Sequence, residues 1–152
     1  MTSVDQDDGV GAVVLAAGAG ERLGRRPKCL LELDGVPLLA RLLDALAAAG
    51  VAPVVVVSGH HAGRVEPLAG ACGGVRLVRN PDPDAGQVAS QRLGLAALGT
   101  PGQGPGAVLI ALAGQPMRET DDLRALLRAW GGRAAGVDGG YPFGVQRAAG
   151  AG

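Results

Sequence analysis

The chain has 152 residues, of which 47% are apolar, enough for one domain with a real core. Its 14 basic residues balance 14 acidic ones, and Trp130, Tyr141 and Phe143 are its only aromatics. Together these exclude the broad basic surface and the stacking platforms that nucleic-acid binding requires, and favour a small ligand.

Residues 1–9 are acidic where a signal peptide would be basic, and the apolar run after them is short and broken by glycine. They are expected to be a flexible N-terminus of a cytoplasmic protein that engages no membrane. Val10 to Ala17 is a continuous β-branched and apolar run ending in glycines, which predicts a first strand buried on both faces. Pro37 to Ala49 has apolar residues at helical spacing, a proline at its first turn and Gly50 behind it, which predicts a helix.

Pro53 to Ser58 predicts another buried strand, His61 to Ala71 a weaker helix, and Val75 to Val78 a short strand. Gln87 to Leu98 predicts a helix, Ala107 to Leu112 a strand, and Glu119 to Trp130 a helix opened by Thr120, Asp121 and Asp122. The stretch from Thr100 to Gly106 is expected to be a surface connection. Alternation of strand and helix predicts an α/β fold: a Rossmann-like, doubly wound, mostly parallel sheet with helices on both faces. Residues 10–133 form the expected domain, and 134–152 an irregular tail.

In such sheets ligands sit beyond the carboxyl ends of the strands, so the loop from Leu15 to Lys28 carries the first chemistry. Gly18 and Gly20 allow backbone N–H groups to approach phosphate oxygens, and Arg22 and Lys28 add positive charge beside them. The spacing is one residue longer than the dinucleotide fingerprint, no acidic residue ends the second strand, and no G-x-x-x-x-G-K-[ST] run exists. Dinucleotide and P-loop ATPase readings are therefore disfavoured.

Cys29 and Cys72 lack CxxC spacing, so a disulfide framework or zinc site is not expected, and Cys29 is expected to be a plain buried cysteine. His60 and His61 are adjacent and point apart on any regular element, so they are expected to be a solvated pair, not a chelate.

Three segments together resemble the MobA-like NTP transferases, in particular the branch of molybdenum cofactor cytidylyltransferases. They are Leu15 to Lys28; Asn80-Pro81 with Gly86, Ser90, Gly94 and Leu95; and Leu112-Ala113-Gly114-Gln115-Pro116. The resemblance covers roughly residues 10 to 130. It implies transfer of a nucleotidyl group from an NTP, CTP in that branch, to a phosphorylated acceptor such as molybdopterin, with release of pyrophosphate and contact with a molybdoenzyme or maturation factor.

Carried onto this chain, the resemblance puts Leu15, Ala16, Ala17 and Gly18 around base and sugar. It puts Gly20, Arg22 and Lys28 on the phosphates, with Arg22 and Lys28 as the catalytic pair. Gly86 and Ser90 complete the base pocket, and Gln115 belongs to the third motif. The family uses Mg²⁺ held in part by an aspartate before Gln-Pro; Gly114 stands there, so no metal ligand is assigned. Family members also continue beyond the point where the tail loses periodicity. Two other readings stay open: an NTP-binding relic or regulator impaired in catalysis, and a sugar-phosphate or methylerythritol-phosphate nucleotidyltransferase.

Overall fold

The computed structural model describes residues 10–18, 27–98, 107–113 and 143–147. The first strand is β1 (Val10–Ala16), buried at every residue but Val10. After a short 3-10 helix at Lys28–Leu30, a hairpin follows, made of β2 (Glu32–Leu33) and β3 (Val36–Pro37). Asp34 and Gly35 turn it with φ of 55 and 81°, the pair of positive values that a two-residue hairpin loop of the primed type demands.

Helix α1 (Leu38–Ala48) starts directly from Pro37, and Gly50 at φ 78° stops it in the left-handed conformation that glycine adopts without strain. Leu39, Leu42, Leu43 and Leu46 recur at the three- and four-residue spacing of one helical face, and all four are buried. Arg41 ties the hairpin to this helix by donating twice to the Leu33 carbonyl, at 3.1 and 2.6 Å.

Strand β4 (Val54–Ser58) is buried throughout. Helix α2 (Ala62–Ala71) carries Pro67 inside it, which removes one backbone donor and explains why its helical signal was the weaker one. Then come β5 (Val75–Arg79), a short 3-10 helix at Pro83–Ala85, α3 (Gln87–Leu98), β6 (Ala107–Leu112) and β7 (Phe143–Arg147).

The main sheet runs β5-β4-β1-β6-β7, with the first four strands parallel and β7 antiparallel to β6. Alternation along the strands assigns its two faces. Val14, Val54, Val56, Leu109 and Ala111 join the cluster packed with α1 and α2. Val13, Val55, Val57, Val108 and Ile110 join the cluster packed with Leu95 and Leu98 of α3. Helices thus cover both faces, as a doubly wound sheet requires.

Strand β7 corrects the expectation of an irregular tail between residues 134 and 152. Its backbone pairs with β6 from Ala107↔Arg147 to Ala111↔Phe143, so it is the open side of β6, not local periodicity, that makes this segment a strand. The expected flexible start at residues 1–9, the connection at 100–106 and the helix at 119–130 lie outside the described residues. Among the described residues no helix is long and apolar enough to cross a membrane.

Candidate functional site

The strand order reverses at β1, whose neighbours β4 and β6 lead off in opposite directions, and the crevice of an open parallel sheet lies at such a point. Register aligns the strand ends there: Ala16 faces Ser58, Ser58 faces Arg79, and Leu15 faces Leu112. Leu15, Ala16 and Ala17 are buried at this edge, and Gly18 emerges exposed, with no atom of the described residues within 4 Å of where a Cβ would stand. The Leu15 carbonyl is taken by Ala113 N–H at 3.1 Å, which joins the loop after β6 to the same place.

Gly59, just after β4, is the point where three loops meet. A Cβ there would lie 2.8 Å from both Ala17 Cβ and Pro83 Cβ and 2.9 Å from the Ala17 carbonyl oxygen. No real side chain makes such contacts, so glycine is what lets the β1 loop and the Pro83–Ala85 turn close on each other. Gly86 follows that turn at φ 102°, again a glycine conformation, and α3 begins at the next residue.

Beneath this turn lies a buried polar knot. The backbone N–H of Asn80 donates to the Ser58 carbonyl at 2.8 Å. Its side-chain Oδ1 accepts from the Asp82 backbone N–H at 2.9 Å, and its Nδ2 donates to Ser90 Oγ at 2.9 Å. Ser90 and Asn80 are 3% and 4% exposed; the bonds between them meet the cost of burying both groups.

On the outside of the same turn, His60 Nε2 lies 2.8 Å from Asp84 Oδ1. His60 is exposed, as expected, and it also has a partner: the loop that brings Gly59 against Pro83 carries it to Asp84, 24 residues along the chain.

Lys28 is exposed at the start of its 3-10 helix, while the next residue, Cys29, is buried in the same core cluster as Ala16 and Ala113. Burial pushes the Cys29 thiol up to about 11, against a weaker lowering by a backbone hydrogen bond. It is therefore an anchor that fixes Lys28 beside the sheet and not a nucleophile. Cys72 is likewise raised, first by burial and then by Asp44.

Of the expected site residues, the structure gathers Leu15, Ala16, Ala17, Gly18, Gly86 and Ser90 at one edge through Gly59, and describes Lys28. Gly20, Arg22 and Gln115 lie outside the described residues, as does Gly114. Sequence reasoning passed over Gly59 and Asp84, took Asn80 only as part of the second motif, and assigned His60 no role at the site. The Gly59 signal was a glycine placed directly after a buried strand; the other three are defined by partners 10 to 24 residues away.

A resident Mg²⁺ needs protein oxygen ligands. Glycine occupies position 114, and among the described residues no three His, Cys, Asp or Glu side chains gather.

Comparison with known proteins agrees with the fold. The bifunctional protein GlmU of Paracidovorax citrulli is 40% identical over 124 residues, 79% of this chain and 25% of that protein. The CMP-5'-(3-aminopropyl)phosphonate synthase of Streptomyces rubellomurinus is 51% identical over 81 residues, 49% of this chain and 13% of that protein. The solved structure of a nucleotidyl transferase from Methanothermobacter thermautotroptrophicus superposes with a TM-score of 0.65 at 35% identity, over 78% of this chain and 56% of that one. The chain thus spans a part of the length of each. The model of the MobA-like NTP transferase domain matches residues 12–143, past β6 and onto the first residue of β7, and the chain belongs to that family.

Proposed function

We propose that this chain binds an NTP across the carboxyl edge of its sheet and transfers the nucleotidyl group to a small phosphorylated acceptor. The observation that supports this most is the meeting of Ala17, Gly59 and Pro83, which sets the β1 loop against the turn leading to Gly86 and Ser90. If the β1 loop approaches the phosphates and the turn lies on the base side, this meeting makes them neighbours.

In this reading Leu15 to Gly18 face the base and sugar, Gly86 and Ser90 complete the base side, and Gln115 of the third motif joins the nucleotide-binding set. An acceptor phosphate oxygen attacks the α-phosphorus; the α–β bridging bond breaks, and pyrophosphate leaves with the electron pair. Lys28 and Arg22 oppose the charge that grows on that leaving group, so their contribution increases toward the transition state. CTP as donor and molybdopterin as acceptor, in the cytoplasm, are the choices favoured by the resemblance of the three motifs.

Gly114 favours a second reading, in which NTP is held and turned over poorly, because a metal-binding carboxylate is replaced by hydrogen. One experiment separates the two. CTP, GTP and ATP are titrated, and pyrophosphate release is followed with Mg²⁺ and molybdopterin, a sugar 1-phosphate or methylerythritol phosphate in turn. Binding with turnover on one acceptor supports the transferase; binding without turnover, recovered in part by Gly114→Asp, supports the impaired form. No nucleotide binding at millimolar concentration overturns both.

A further inference from the structure

The polar knot beneath the Pro83–Ala85 turn has a direction. The backbone N–H of Asp82 can only donate, so the Asn80 atom facing it is the carbonyl oxygen, Oδ1. This fixes the orientation of the amide, which otherwise could be turned by 180°. Its nitrogen is thereby aimed at Ser90, and an amide nitrogen also can only donate. Ser90 Oγ is therefore an acceptor in the 2.9 Å bond, and its own proton is not used there.

We propose that Asn80 is a positioning residue that polarises Ser90, holding the hydroxyl as a hydrogen-bond donor toward an acceptor atom on the base of the nucleotide. The inference rests on the nucleotide-binding reading and adds to it the residue that decides which way the serine points its proton. A buried hydroxyl 3% exposed makes few hydrogen bonds, so supplying one of them from Asn80 determines the character of the rest. Asn80 is itself held from both sides, through its backbone to the end of β4 and through Oδ1 to Asp82. The direction is thus set by the sheet edge and not by the ligand.

Asn80→Asp tests it with almost no change of shape. One carboxylate oxygen still accepts from Asp82 N–H, while the other must now accept from Ser90, which turns the hydroxyl around and presents lone pairs to the base. The expected result is a loss of about tenfold in CTP affinity with inorganic triphosphate, which has no base, bound as before. In a Ser90→Ala background the same substitution should cost nothing further. Ser90→Ala alone should reproduce the loss without any new charge, and Ser90→Thr should retain affinity, so the test stands even where Asn80→Asp does not fold.

Equal losses for CTP and triphosphate, undiminished loss in the Ser90→Ala background, or unchanged CTP affinity in Asn80→Asp or Ser90→Ala overturns the inference alone. A wild-type protein that binds neither ligand overturns the nucleotide reading and this inference with it.

Discussion

Gly94 of α3 lies so close over Val13 of β1 that a methyl group on its Cα would fall inside the volume of Val13 Cγ1, with Val57 Cγ2 at 3.1 Å. Val13 and Val57 are 0% exposed and have no room to yield. Gly94→Ala therefore forces the helix away from the sheet. The expected cost is about 1–3 kcal/mol despite the higher helix propensity of alanine, read as a lowered midpoint of urea denaturation.

Gly59→Ala acts at the site itself. The added methyl would meet Ala17 and Pro83 at 2.8 Å, so the turn ahead of Gly86 must move off the β1 loop. Nucleotide affinity should fall at least about tenfold while the urea midpoint falls by about 1–3 kcal/mol equivalent. Retained affinity would separate the Gly59 junction from the ligand.

Lys28→Ala removes an exposed side chain whose neighbour Cys29, not the lysine, is built into the core. Stability should change by less than about 0.5 kcal/mol. On the proposed reading, affinity for an NTP should fall about tenfold and its dependence on salt should flatten, because the charge proposed to oppose the phosphates is gone. Calorimetric titration at two ionic strengths checks both.

The buried Cys29 thiol gives a pH prediction. Its pKa rises from 9.0 to about 11 on folding, so the unfolded chain loses this proton first. The stability it contributes is complete below pH 9 and is lost as pH climbs from 9 through about 11. In a thiol-labelling assay at pH 8, half-buried Cys72 should react first and Cys29 only on unfolding. A Cys29 that labels as fast as Cys72 in the folded protein contradicts this.

Local periodicity carried the strands β1, β4 and β6 and the helices α1 and α3 into view, because each buries a run whose spacing is its own signature. The β2–β3 hairpin was not read from the sequence: Asp34-Gly35 is a turn signal, yet two residues per strand give no alternation to go with it. Strand β7, with Gly144 in its midst, exists through its pairing with β6 and has no comparable local signal. At the site, the spacing of Gly86 and Ser90 was readable as a motif. That Asn80 orients Ser90, or that His60 meets Asp84, was not, because those contacts are made by the sheet aligning strand ends far apart in the chain.

The position of β1 also sets an order of assembly. Its backbone is satisfied on one flank by β4, but on the other only by β6, which pairs Val10 with Ala107. As the chain leaves the ribosome, the first strand and its β4 neighbour can associate early, while an almost wholly apolar strand keeps one bare row of amides until β6, ending at Leu112, has been made. That row is where a chaperone would hold the nascent protein, and where two incomplete copies would join if none did.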